Sequence, residues 1–88
     1  MRLRKDYILR ELGDTRLLIN EGEQVRLTRV LPLNESAAFL WRRAEGRDFD
    51  TDWLAQQLVE EYGIDAATAA ADAEDMVRSW KENRLLAP

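Results

Sequence analysis

The chain has 88 residues, with 13 Lys and Arg against 17 Asp and Glu, which gives a net charge of -4. That sign argues against a surface that neutralises nucleic-acid phosphates. Cys and His are both absent, which excludes disulfides, thiolate nucleophiles, imidazole bases and the usual zinc or iron–sulfur ligands. We therefore expect no metal and no cofactor.

The length predicts one domain, residues 1–88, with a single hydrophobic core. A composition of 45% hydrophobic and 34% charged residues is typical of a soluble, folded chain. The opening MRLRKDY is basic but lacks the apolar centre of a signal peptide, and no apolar run approaches the length of a membrane span. We expect a cytoplasmic protein.

The first third of the chain predicts three strands. Residues 6–12 and 15–20 are short β-prone runs, and the Gly13-Asp14 pair between them suits a type II′ hairpin turn. After a turn at residues 21–23, the alternating run QVRLTRVL predicts a third strand over 24–31. The result is a three-stranded antiparallel meander.

The third strand becomes an edge of the sheet if strand pairing follows chain order. Its unpaired backbone groups could then accept another extended chain. Alternatively, Arg26 and Arg29 are charged gatekeepers that protect the edge from aggregation. The residues alone leave both interpretations open.

A junction then converts the sheet into helices. Pro32 lacks an N–H, so we expect the strand to end before it. Asn34 is a suitable cap for a helix over 35–45, where Ala37, Leu40, Trp41 and Ala44 recur at helical spacing.

Two further helices are predicted. The first covers 51–62, begins at a cap of Asp50 or Thr51 and ends at Gly63, and the second covers 66–83 after an Asp65 cap. Their expected buried stripes consist of Leu54, Leu58, Val59 and Tyr62, and of Ala69, Ala73, Met76, Val77 and Trp80. Leu85 and Leu86 should fold back on the core. Three strands followed by three helices predict a compact α+β domain, winged-helix-like in type.

No constellation of residues indicates catalysis. The acidic pair at residues 60–61 and the group of Asp72, Glu74 and Asp75 lack the Gly-punctuated oxygen-ligand loop of a calcium site, and they read as solvated helix faces. Phosphate-binding Gly-rich loops and G-x-S-x-G elbows are absent as well. A binding module remains, with no catalytic residue.

The order of several segments resembles the PqqD-like family, also known as RiPP recognition elements. These are small peptide chaperones in the biosynthesis of coenzyme PQQ and of other ribosomally made, modified peptides. The resembling segments are YILRELG with TRLLI, LNESAAFLW, a helix ending in YGID, and AAADAEDMVRSWKENRLL. Two positions depart from the family pattern. Trp80 stands where Leu is common, and Arg84 stands where Gly often follows the third helix, which leaves the geometry of the helix end open.

The resemblance implies that a precursor's leader peptide adds as a strand to the third strand, while its side chains enter a groove beside the third helix. Arg26 and Arg29 could meet acidic leader residues, and Asp72 or Asp75 basic ones. The peptide-binding residues expected on this basis are Gln24, Val25, Arg26, Leu27, Thr28, Arg29 and Val30 on the strand, and Asp75, Met76, Ser79, Trp80 and Asn83 on the helix.

The resemblance also implies that the bound leader is presented to a modifying enzyme, often a radical S-adenosylmethionine (radical SAM) protein. Two other classes of function remain open. A winged-helix DNA-binding regulator would share the fold but needs a basic recognition helix, whereas residues 65–75 carry no Lys or Arg. A self-associating structural protein could use the same free edge to form a homodimer in place of a monomeric peptide binder.

Overall fold

The computed structural model describes residues 1–20 and 29–88. In these residues a three-stranded antiparallel sheet is followed by three helices, which confirms the predicted α+β class. The elements are β1 (Tyr7–Leu12), β2 (Thr15–Asn20), β3 (Val30–Pro32), α1 (Glu35–Ala44), α2 (Thr51–Tyr62) and α3 (Ala66–Glu82). The helix boundaries agree with the predicted ones to within a residue.

The β1–β2 hairpin has the tight turn that its sequence predicts. Leu12 lies opposite Thr15, so Gly13 and Asp14 alone form the loop. Gly13 has φ of +60°, and Asp14 is not among the residues with positive φ. A positive φ at only the first central position is the pattern of a type II′ turn.

The third strand differs from its prediction at the end that is described. Of the predicted strand 24–31, residues 24–28 lie outside the described residues. The expectation that Pro32 ends the strand is wrong, because Pro32 belongs to β3 and lies opposite Leu17. The ladder continues to Leu33, whose N–H donates to the carbonyl of Arg16 at 2.9 Å.

The alternation of an antiparallel ladder explains why a proline is tolerated there. Asn20 donates to the carbonyl of Arg29 and Leu33 donates to Arg16, so the hydrogen-bonded pairs fall at 20 with 29, 18 with 31, and 16 with 33. The intervening residues Val30 and Pro32 therefore direct their backbone groups away from β2. Pro32 removes no bond from the ladder, which is the usual situation of proline in an edge strand.

The strand order β1-β2-β3 leaves β3 at one edge of the described sheet, as the meander predicts. On this edge the outward groups of β3 are the N–H and C=O of Val30 and the C=O of Pro32. The Val30 side chain is 48% exposed. The described edge is therefore short, with one donor and two acceptors.

All three helices begin at the predicted caps. Asn34 Oδ1 accepts from the N–H of Ala37 at 2.8 Å, and Asp50 and Asp65 accept in the same way from Trp53 and Thr68, each at 2.7 Å. The backbone and hydroxyl bonds from Thr68 also lower the pKa of the Asp65 carboxyl below its ordinary value. Of the two caps considered for α2, the structure uses Asp50.

Buried side chains from all three helices, β1 and β2 form one core. The rings of Trp41 and Trp80 lie edge to face, with centroids 5.6 Å apart, and Phe49 packs against Trp80 in the same manner. Both Trp side chains are essentially fully buried, as their positions on the apolar stripes predict. Edge-to-face contacts of this kind add about 0.5–1.5 kcal/mol beyond the burial of area.

The buried face of α2 differs from the prediction at its last turn. Leu54 and Leu58 are buried, whereas Tyr62 is 39% exposed. Tyr62 is the final residue of α2, and its ring packs edge to face with that of Phe39, with centroids 5.7 Å apart. Val59 and Met76 are half-buried against the core.

The two ends of the chain meet at a second, smaller set of backbone bonds. Leu3 and Leu86 form an antiparallel bridge, and the N–H of Arg4 donates to Leu85 at 2.9 Å. Leu85 is buried, so the predicted return of the last residues to the core is confirmed. None of the helices within residues 1–20 and 29–88 has the length and apolar character needed to traverse a bilayer.

The end of α3 is closed by a Schellman motif. Leu85 donates its N–H to the carbonyl of Trp80 at 2.9 Å, and Arg84 donates to Lys81 at 3.1 Å. Arg84 has φ of +58°, the left-handed conformation that glycine normally supplies at this position. The departure from the family pattern therefore changes the side chain but keeps the left-handed turn.

Replacement of Arg84 by glycine should stabilise the protein. Glycine removes the steric cost of a Cβ at positive φ, but it also increases the conformational entropy of the unfolded chain, which offsets part of that gain. We expect a net increase of about 0.5–1 kcal/mol in the free energy of unfolding. Urea denaturation followed by circular dichroism measures it. Arg84→Ala is the control, because it removes the same side chain but keeps the Cβ. Equal stability of the Gly and Ala variants would show that strain at Arg84 is negligible.

Candidate functional site

A groove of about 320 Å³ lies between the β3–α1 segment and α3. One wall comes from the end of β3 and the start of α1, and the other comes from the second half of α3. The lining residues are Leu31, Pro32, Leu33, Asn34 and Ala37 on the first wall, and Asp75, Met76, Ser79, Trp80, Asn83 and Leu85 on the second.

The α3 wall is one continuous helix face. Met76, Ser79 and Asn83 follow one another at steps of three and four residues, so they lie one above the other. The core residues Ala69, Ala73, Val77 and Trp80 occupy the adjacent face. Trp80 belongs to both faces, because its buried ring also lines the groove.

The side chain of Arg29 joins the two walls at one end of the groove. Its guanidinium donates to both the carbonyl and the Oδ1 of Asn83, the latter at 3.1 Å, and to the hydroxyl of Tyr7 at 3.1 Å. Asn83 is held in turn by its side-chain N–H, which donates to the carbonyl of Ser79 at 2.8 Å. These hydrogen bonds therefore connect the N-terminal end of β3 to the C-terminal end of α3.

The structure brings together all the helical residues predicted for the site. Asp75, Met76, Ser79, Trp80 and Asn83 line one groove. Their role in peptide binding stays a prediction.

The strand residues predicted for the site have different positions. Val30 lies on the free edge of β3, adjoining the groove wall. Arg29 points inward to Tyr7 and Asn83. Gln24, Val25, Arg26, Leu27 and Thr28 lie outside the described residues.

Sequence reasoning assigned the first wall to a structural junction and missed its part in the groove. The sequence predicts Asn34 as a helix cap and assigns Leu31 and Leu33 no part in a binding site. The alternation of the strand contained a further signal. Arg29 has the same parity as Leu31, so its side chain belongs on the inner face of the sheet.

The groove is mainly apolar and its charges are few. Asp75 forms an ion pair with Arg78 at 2.9 Å, and both side chains are largely exposed. Such a pair contributes at most about 1 kcal/mol. Residues 1–20 and 29–88 hold no group of three or more side chains suited to a metal ion. The arrangement can bind an extended chain with an apolar side chain; it has no geometry for acid–base chemistry.

The fold and the groove agree with the family comparison. The model of the PqqD family, described as coenzyme PQQ synthesis protein D, matches residues 14–86. The chain belongs to the PqqD family. This match confirms the predicted family. PqqD-family domains are non-catalytic peptide-binding domains, known as RiPP recognition elements.

Solved structures of two other proteins share this PqqD-family fold. "Lasso peptide synthetase B1 complexed with the leader peptide" is 26% identical, with a TM-score of 0.74 over 99% of this chain and 96% of that one. "TbiB1 in Complex with the TbiA(beta) Leader Peptide" is 18% identical, with a TM-score of 0.72 over 98% of this chain and 94% of that one, and supports the fold alone. No functionally curated protein matches significantly.

Removal of the Arg29 guanidinium should destabilise the domain. Arg29→Met keeps most of the aliphatic stem but leaves the Asn83 carbonyl and the nearly buried Tyr7 hydroxyl without their donor. We expect a loss of about 1–3 kcal/mol in the free energy of unfolding, measured by urea denaturation. Tyr7→Phe removes only one of these bonds and should cost about 0.5–1.5 kcal/mol. If Arg29→Met costs no more than Tyr7→Phe, the contact with Asn83 contributes nothing to stability.

Proposed function

We propose that this PqqD-family domain binds the leader region of a ribosomally made precursor peptide by strand addition along β3. The observation that carries the proposal is the position of β3 at the edge of the described sheet, directly beside an apolar groove. Strand addition combines such an edge, which bonds the peptide backbone, with pockets that select its side chains. The 26% identical structure is a complex with a leader peptide, which supports a leader as the ligand.

The backbone of β3 supplies only part of the affinity. Its described outward groups are the N–H and C=O of Val30 and the C=O of Pro32, and each hydrogen bond contributes a net of about 0.5–1.5 kcal/mol. An apolar side chain of the leader must therefore provide the main anchor. The apolar lining of the groove includes Leu31, Met76 and the almost fully buried Trp80.

The arginines of the strand have different parts in this proposal. Arg29 is already bonded to Tyr7 and Asn83, so it shapes the groove and does not pair with leader carboxylates. Arg26, which lies outside the described residues, is the one proposed to meet acidic leader residues. Exposed pairs of this kind add at most about 1 kcal/mol each.

The proposal extends to the next step of the pathway. The domain would act as a cytoplasmic monomer and present the leader to a modifying enzyme, for which a radical SAM protein is the class that the family resemblance implies. The chain contains no Cys, so any iron–sulfur cluster belongs to the partner. The class of the partner rests on the resemblance alone.

Val30→Pro tests the use of the edge. Proline removes the outward N–H of residue 30 and leaves the bonds between β2 and β3 intact, because those bonds are made by residues 29, 31 and 33. We expect leader affinity to fall at least tenfold in calorimetry, through the lost bond and the ring's contact with the added strand. The probe is the leader region of the precursor peptide encoded beside this chain.

Val30→Ala is the matched control, since it shortens the same side chain but keeps the N–H. Both variants should retain the circular-dichroism spectrum of the parent. Equal affinities of the Pro and Ala variants would contradict strand addition at residue 30.

An amide-resolved NMR titration with the same leader gives an independent check. Saturable shifts should concentrate on residues 24–30 and 76–83. Sedimentation of the free protein distinguishes the competing function: a dimer that dissociates on dilution, together with no shifts at high peptide excess, would favour self-association through β3.

A further inference from the structure

A second cavity, of about 450 Å³, adjoins the groove. It lies where the start of α1, the end of α2 and the first half of α3 meet. Asn34 and Met76 line both cavities, so the two cavities are adjacent. The other lining residues of the second cavity are Ser36, Leu58, Tyr62, Ile64 and Asp72.

The lining has an apolar floor and a single charged side chain. Leu58, Ile64 and Met76 are its apolar residues, and Asp72 is the one carboxylate among the lining residues. No described residue forms a hydrogen bond or an ion pair with the Asp72 carboxylate. By contrast, the carboxylate of Asp65 accepts from Thr68, and that of Asp75 pairs with Arg78.

Charged groups of both signs lie near the Tyr62 side of this cavity. Burial, and then the nearby carboxylates of Glu35 and Glu61, raise the pKa of Tyr62, so its hydroxyl stays protonated. Arg42 and Arg16 partly offset those carboxylates, and Arg42 forms an ion pair with Glu11. Asp72 is the one carboxylate that lines the cavity, and Glu35 and Glu61 add negative charge beside it.

The length of the groove carries a bound peptide toward this cavity. Along α3, Asp72 and Asn83 are separated by roughly 16 Å at 1.5 Å per residue. The segment from Arg29 to Asn34 runs in the opposite direction beside it, with Arg29 at Asn83 and Asn34 at Met76. The strand Val30–Pro32 covers only about 10 Å of that distance. A peptide that fills both cavities thus continues past β3 to Asn34.

Asn34 has a free donor at this crossing. Its Oδ1 accepts from the N–H of Ala37 at 2.8 Å and from the hydroxyl of Ser36 at 3.1 Å, which fixes the orientation of the amide. Its Nδ2 has no partner among the described residues. An amide donor between two cavities is placed to bond a peptide carbonyl as the chain passes from one to the other.

We infer that the second cavity receives a Lys or Arg side chain of the leader, located beyond the segment that pairs with β3. This inference rests on the proposed function and adds a specificity site to it. The aliphatic stem lies on Leu58, Ile64 and Met76 while the cation reaches Asp72, and Asn34 Nδ2 donates to the adjacent leader carbonyl. An acidic side chain is repelled by Asp72.

The first test compares Asp72→Asn with Glu74→Gln. Both variants remove one negative charge from α3, but Glu74 lies two residues on, roughly 200° around the helix, and lines neither cavity. Calorimetry with the neighbouring precursor's leader should show affinity two- to fivefold weaker for Asp72→Asn, as expected for an exposed ion pair, and unchanged for Glu74→Gln.

Leader variants identify the occupant. Each Lys and Arg of the leader is replaced in turn by norleucine, which keeps an aliphatic stem but has no charge. One replacement should weaken binding to the parent protein two- to fivefold and have no effect on Asp72→Asn, the signature of a direct pair in a double-mutant cycle.

The outcomes separate this inference from the function on which it rests. A leader that binds with Val30→Pro sensitivity, but equally well to Asp72→Asn and Glu74→Gln, overturns the cation site and keeps strand addition. The cation site is also overturned if Asp72 couples to none of the leader's Lys or Arg residues, or if it couples to an aromatic leader residue instead. Absence of any leader binding by the parent overturns both proposals.

Asn34→Ser tests the crossing itself. Serine caps a helix about as well as asparagine, so the stability of α1 should be preserved while the amide donor is lost. We expect leader affinity to fall about threefold with an unchanged midpoint of urea unfolding. Affinity equal to that of the parent would show that the peptide does not bond Asn34.

Discussion

The hydrogen bonds between Arg29 and Asn83 connect the two walls of the groove. β3 is a short strand at the edge of its sheet, and α3 belongs to the helical half of the domain. A planar guanidinium that bonds the carbonyl and the side chain of Asn83 at once, and Tyr7 as well, fixes the separation and the angle of these two elements. The groove exists at a defined width because this contact is made inside the protein, before any peptide arrives.

The edge of β3 combines two properties that usually conflict. An open edge invites aggregation, yet a peptide-binding domain needs one. Pro32 resolves part of the conflict because its missing N–H faces outward: the ladder with Leu17 and its neighbours is complete, while the exposed edge offers few donors. In the proposed strand addition, weak backbone bonding would make binding depend on side chains in the adjacent groove, which would favour one peptide sequence over others.

Helix α3 serves the core and the groove with two adjacent faces. Its alanines let α2 approach closely, and Trp80 continues that stripe into the contact with Trp41. The neighbouring face, from Asp72 to Asn83, stays accessible and extends beyond the length of β3. The left-handed Arg84 ends the helix and turns the chain so that Leu85 can pack beneath the groove. A rigid helix therefore positions all the side chains on one wall of the proposed site.

The sequence by itself determined the order of elements, the hairpin turn, the three helix caps and the core stripes, because turn chemistry, capping and periodicity act between residues a few positions apart. It also indicated the groove face of α3, though only with the family resemblance as a guide. Tertiary structure decided that the backbone of Pro32 is directed away from β2 and that the guanidinium of Arg29 bonds Asn83. It also decided that Tyr62 stays exposed and that a second cavity adjoins the first. Each of these depends on which distant elements face each other, as when Arg29 meets Asn83, and no local pattern specifies that.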